Sequence, residues 1–96
     1  MAYVVAVTWT AKEGEEERVS QLLDEITPLV RAEPGCQLYI ASRAEDDART
    51  FFLYEQYDDI EAFQAHRESE HFQRLVLDEA VPLLESRIHS NYTTID

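Results

Sequence analysis

The chain has 96 residues, 45% of them hydrophobic, and sets 20 Asp and Glu against 8 Lys and Arg for a net charge of −12. That length makes one small domain, residues 1–96. The charge excludes a nucleic-acid ligand, which needs clustered Lys and Arg, and an anionic membrane surface. The acids are dispersed among apolar residues, so the chain reads as a solubilised globular domain rather than a disordered acidic tail.

The first element is "YVVAVTWTA", Tyr3 to Ala11, a β-branched and aromatic run with Val5, Val7 and Trp9 on one face and Val4, Ala6, Thr8 and Thr10 on the other. It is too short and too poor in basic residues for a membrane span or a signal peptide. In "EGEEERVSQLLDEITPLVRAEPG" the residues Val19, Leu22, Leu23, Ile26 and Val30 recur at helical spacing. Glu15, Glu16 and Glu17 suit the positive end of that helix and Arg31 the negative end. Pro34-Gly35 stops it, and Pro28 is expected to kink or shorten it. Two strands follow, Cys36 to Ala44 and Arg49 to Tyr57, joined by the loop "EDDA". Asp59, with Asp58, caps a short helix over Ile60 to Arg67, and Ser69 caps another beginning at Glu70. Asp78 and Pro82 interrupt what comes next, and "RIHSNYTTI" reads as a last strand.

The order β-α-β-β-α-β is that of an α+β, ferredoxin-like fold: a four-stranded antiparallel sheet with helices on one face. Such a sheet should be polar where it meets water. Here Val4 and Ala6, and Phe52 and Tyr54, lie opposite an already apolar face. No residues remain to cover them, so a second copy of the chain is expected to do so, giving a homodimer packed sheet to sheet. The single cysteine, Cys36, permits no intrachain disulfide and predicts a reducing, cytoplasmic setting; it reads as a small buried hydrophobe.

"WTAKEG", "AEPGC" and "FFLYEQYDDIEAFQAHRESEHF", in this element order, resemble the antibiotic biosynthesis monooxygenase (ABM) domain, a dimeric α/β-barrel family. The resemblance runs over nearly the whole chain and is most specific from Phe52 to Phe72. It implies a homodimer with a pocket between sheet and helices in each subunit. Members include oxygenases that oxidise quinols or polyketide phenols with dioxygen and without metal or flavin. Others degrade haem, and related members isomerise small oxo-metabolites. The haem-degrading pattern of Asn, Trp and His is missing: His66 stands where the Trp would fall, Val7 or Thr8 near the Asn, and Leu75 or Val76 near the His.

Cofactor-free oxygenation needs aromatic walls, a base active near neutral pH, and donors aimed at a developing oxyanion. His66 and His71 in "QAHRESEHF" are the expected catalytic pair, since imidazole titrates close to neutrality. They fall at opposite dipole ends of successive helices, an arrangement that suits one acid and one base. The alternative is a structural pair, with His66 exposed and His71 bonded to backbone. Trp9, Phe52 and Tyr54 are the expected ring contacts, with Arg43 on the oxyanion; each aromatic could equally be core or interface. Glu55 is expected to pair with an Arg, Arg43 or Arg87, in an interface salt bridge, the alternative being a raised pKa. A two-His-one-carboxylate metal site would need Glu55 or Glu70, but the spacing matches no metal-ligand signature. With two glycines and no phosphate loop, no nucleotide or flavin fingerprint is present. The resemblance implies a small aromatic molecule and dioxygen as reactants and no cofactor; the missing fingerprint leaves a loosely held flavin unsupported rather than excluded. An isomerase and a non-catalytic small-molecule binder remain the alternatives.

Overall fold

A computed structural model describes all 96 residues. Strand β1 (Tyr3–Ala11) leads to helix α1 (Glu16–Arg31) and then to the hairpin β2 (Cys36–Arg43) and β3 (Thr50–Tyr57). Helix α2 (Ile60–Glu68) follows, then a π-helical segment (Phe72–Ala80), a 3-10 turn (Val81–Leu83) and β4 (Leu84–Thr93). The four strands form one antiparallel sheet in the order β2-β3-β1-β4. This is the ferredoxin-like fold that the element order predicts. No helix is long and apolar enough to cross a membrane.

The inner face of the sheet holds the core. Val5, Val7 and Trp9 of β1, Tyr39 of β2, and Phe51, Leu53 and Tyr57 of β3 are all buried there. Val19, Leu22, Leu23, Ile26 and Val30 form the apolar stripe of α1 that packs on them. Each such side chain contributes about 1.5–3 kcal/mol on burial. The chain enters α1 through Gly14, whose φ of +88° a side chain would resist and whose N–H donates to Glu16 Oε1. Pro28 does not end the helix: α1 runs on to Arg31, with the Thr27 hydroxyl donating to the Leu23 carbonyl one turn back.

Two irregularities decide which side chains face outward. Cys36 pairs with Tyr57 and Leu38 with Gln56, so Gln37 is an extra residue in β2. A bulge of one residue inverts the faces beyond it, and Leu38 and Ile40 are turned to the outer side. A second bulge at the start of β4 sets Ala11 opposite Leu84 and Thr10 opposite Ser86. That strand starts three residues earlier than the sequence suggests, because the π-helical segment and the 3-10 turn consume the Asp78–Pro82 stretch in compact turns.

The α1–β2 turn lies close against α2. A Cβ on Gly35 would collide with the Ala62 Cβ. The Gly35 carbonyl also accepts from the Asp58 N–H at 2.9 Å. Glu33, two residues before this contact, is thereby brought to the end of α2.

Candidate active site

Between the inner sheet face and the α2–π-helical layer lies a cavity of about 740 Å³. Val5, Val7, Trp9, Leu53 and Glu55 line its sheet side, and Phe63, His66, Phe72 and Val76 its helical side. Asp59 caps α2 by accepting from the Ala62 N–H, and Ser69 Oγ accepts from the Phe72 N–H to start the next turn. These two caps fix where His66 and His71 fall. Beyond Ser69 the wide π-helical winding, common at functional sites, carries Phe72, Gln73, Val76 and Leu77 along the cavity.

His66 is buried, not exposed. Its Nδ1 lies 2.9 Å from Glu33 Oε2, and Nε2 of His71 bonds the same carboxylate oxygen. With Nδ1–H donating to Glu33, the neutral imidazole keeps a lone pair on Nε2. That nitrogen makes no hydrogen bond, and no buried side-chain polar atom in the protein lacks a partner. Nε2 therefore opens on the cavity. Aromatic rings hold the imidazole in place: Phe72 at 5.0 Å between centroids and Tyr57 at 5.2 Å.

Glu55 Oε1 lies 3.7 Å from His66 Nε2, and the Tyr57 hydroxyl donates to it at 2.6 Å. Burial pushes the Glu55 carboxyl above the ordinary carboxylate range, against the Tyr57 hydrogen bond and the nearby imidazole, which act to lower it. No Arg pairs with it, so the raised-pKa alternative holds and the salt bridge to Arg43 or Arg87 does not form. For Glu33 the balance is reversed. Burial raises it, but the hydrogen bonds from His66 and His71, and the positive charge of either ring when protonated, outweigh this and hold its carboxyl below the usual value. Burial lifts the Tyr57 and Tyr39 hydroxyls well above their usual range, so both stay protonated. Cys36 is pushed up by burial and by the Glu33 charge, which keeps it an inert thiol.

The structure brings together only part of the set expected from sequence. His66 and Trp9 line the cavity; His71 lies one hydrogen bond behind, through Glu33. Phe52 and Tyr54 do not reach it, because their strand positions put them on the outer face of the sheet. Arg43 is engaged elsewhere: it lies 5.0 Å over the Phe51 ring and pairs with Glu17 at 2.9 Å. His89, without an evident companion in the sequence, lines the cavity beside Arg87 and Asn91.

Glu33 is the residue that sequence reasoning missed. A signal existed: a carboxylate just beyond the C-terminal end of α1 opposes the helix dipole, and such a placement calls for a compensating partner. Glu33, His66 and His71 are also the residues whose ligand atoms, within 4.8 Å of one another, could hold a metal ion. The carboxylate of that set is neither Glu55 nor Glu70; Glu70 is exposed and faces Arg74. As they stand, one carboxylate satisfies two imidazoles, a complete hydrogen-bond set.

Residues 2–76 match the family model described as antibiotic biosynthesis monooxygenase. The chain belongs to the ABM family. That name is a monooxygenase's, hence an oxidoreductase's, and it specifies no substrate for this member. Among solved structures, PA3566 from Pseudomonas aeruginosa is similar at 26% identity and a TM-score of 0.91, over 99% of this chain and 95% of that one. SO0527 from Shewanella oneidensis is 27% identical with a TM-score of 0.88, over 95% and 88%. Rv0793 from Mycobacterium tuberculosis shares the fold at 23% identity and a TM-score of 0.91, over 100% and 97%. No curated protein matches the sequence.

Proposed function

We propose that this ABM-family chain is a cofactor-independent monooxygenase that oxidises a phenolic or quinol substrate with dioxygen in the cavity beneath α2. The observation that carries this reading is the orientation of His66, with Nδ1 tied to Glu33 and Nε2 open to the cavity. His66 Nε2 takes the proton of the substrate hydroxyl, and Glu33 stabilises the imidazolium that results. His71 acts through Glu33, holding that carboxylate in place. Trp9, Phe63 and Phe72 supply apolar walls for the ring.

The substrate anion passes an electron to dioxygen, and the resulting pair of radicals combines at a ring carbon bearing hydrogen. That hydrogen passes as a proton to the outer peroxide oxygen as the O–O bond breaks, leaving a carbonyl on the ring and hydroxide as the leaving group. The imidazolium returns its proton to the departing hydroxide, which restores His66 as a base. Four electrons reach dioxygen, all from the substrate, so no external reductant enters.

The active unit in this proposal is a homodimer packed sheet to sheet. Leu38, Ile40, Phe52, Ile88 and Tyr92 are each at least 41% exposed on the outer face, which supports a partner there. Phe52 and Tyr54 then belong to the dimer interface.

The test is oxygen consumption by chelator-treated protein with hydroquinones and polycyclic phenols. Uptake above the autoxidation background, falling about 100-fold in His66→Ala, is the expected result. Equal rates in wild type and His66→Ala would remove the imidazole from the mechanism. The 3.7 Å approach of Glu55 to His66 favours a second reading, a proton-transferring isomerase of a small oxo-metabolite. Turnover of such a compound in the absence of oxygen would select it.

A further inference from the structure

The seven arginines of this chain divide in an uneven way. Arg18, Arg43, Arg49 and Arg74 each face a carboxylate, that of Glu79, Glu17, Glu85 and Glu70 respectively. Arg31 donates to the Tyr39 carbonyl. Only Arg67 and Arg87 reach no oxygen acceptor, in a chain with 20 acidic residues to choose from, and both line the cavity.

Their placement follows from the fold. Arg87 sits opposite Trp9 in the β1–β4 register, and His89 and Asn91 sit opposite Val7 and Val5. These three side chains thus share the inner face of an edge strand, beside the apolar wall of β1. Arg67 comes from the last turn of α2, 5.9 Å over the Phe63 ring. Both guanidiniums line the same cavity as His89, and after burial the charges of Arg87 and then Arg67 hold the His89 pKa below its ordinary value. Glu68 also lines the cavity but pairs with neither arginine, and Glu55 is turned to Tyr57 and His66 at the buried end.

We propose that Arg67 and Arg87 form an anion-binding rim that receives a carboxylate or phosphate group on the cavity's ligand, with Asn91 as a further polar donor. Guanidinium is the group best matched to planar, two-point recognition of such oxygens. The ligand is then bipolar: its anionic group rests at the rim while its ring reaches the imidazole of His66. The second half of that statement rests on the oxygenase reading; the anion site does not.

Binding, measured apart from turnover, tests it. Isothermal titration would compare hydroquinone with its carboxylated analogue (2,5-dihydroxybenzoate) and its phosphorylated analogue (4-hydroxyphenyl phosphate). Wild type, Arg67→Gln and Arg87→Gln would be used, each checked for an unchanged melting temperature. At least one anionic probe should bind about tenfold tighter than hydroquinone. That preference should weaken with added salt and vanish in either variant. Whichever anion binds tighter in wild type names the source. Equal affinity for neutral and anionic probes, a preference kept in both variants, or no saturable binding of either anion overturns the proposal. Oxygen uptake with the same compounds reads the other claim separately. An anion preference without uptake sinks the oxygenase and leaves the rim standing; uptake without the preference does the reverse.

Discussion

The inner and outer faces of the sheet are both rich in apolar side chains, yet they treat charge in opposite ways. The outer face, at the paired positions of Val4–Thr10, Leu38–Ser42, Thr50–Gln56 and Ser86–Tyr92, carries no charged side chain, although it stands open in the single chain. The inner face holds Glu55 buried under the helical layer, with His66 pressed down onto it, and carries Arg87 and His89 along its exposed β4 edge. Solubility alone would put charges outside and none within. The reversal is what the proposed sheet-to-sheet dimer and the proposed polar ligand each call for.

The sharpest way to break this comparison is to place the same charge on each face. Leu53→Asp, on the inner side, should unfold the domain at a cost of about 4 kcal/mol or more, seen as loss of far-UV circular dichroism or of soluble protein. Phe52→Asp, one residue away on the outer side, should leave the chain folded and reduce it to a species of 11.2 kDa in sedimentation. A stable dimer from Phe52→Asp would end the covered-face argument. Next in size is the effect on chemistry. Glu33→Gln should lower oxygen uptake about tenfold, less than loss of His66, because it removes the partner of the base and leaves the base. Uptake unchanged in Glu33→Gln would leave Glu33 a purely structural residue.

Smaller effects concern stability and pH. Glu33 ionises below its ordinary value of 4.5 in the folded chain, so its contribution is fully present above that pH. It is lost as the pH falls through the lowered value, and melting curves of Glu33→Gln should show a flatter acid limb than wild type. Glu55 is the opposite case. Its carboxyl is raised, so its contribution is greatest below the ordinary carboxylate range and declines as the pH rises through the folded value. Glu55→Gln keeps an acceptor for the Tyr57 hydroxyl and should melt a few degrees higher at neutral pH. A lower melting point would mean that the buried charge is better compensated than its surroundings indicate.

Much of this architecture was legible in the sequence because it is written in periodicities. The α1 stripe, the β1 alternation and the Pro-Gly stop are local signals, and the element order followed from them. The Asp59 and Ser69 caps placed both histidines correctly on their helices. What was not legible depends on geometry that a pattern does not carry. The Gln37 bulge, which turns Leu38 and Ile40 outward, leaves no mark on composition. The π-helical winding of Phe72–Ala80 looks like an ordinary helix with a proline after it. Phe52 and Tyr54 suit ring contacts by residue type, but their strand parity assigns them to the other face. Glu33 is 33 residues from His66 in the chain, and only tertiary packing reveals the pair.

One contact lets two unreactive residues govern a reactive one. Gly35 and Ala62 carry no functional group, yet the α1–β2 turn can lie on α2 only because neither is larger. They act as a spacer of minimum thickness beneath the Glu33–His66 hydrogen bond. A methyl group at position 35 would work as a wedge, prising the carboxylate from the imidazole without touching either. The Glu33–His66 spacing is thus gauged from outside the site, and a change in the smallest side chains of the domain would detune the proposed base while every polar residue stayed in place.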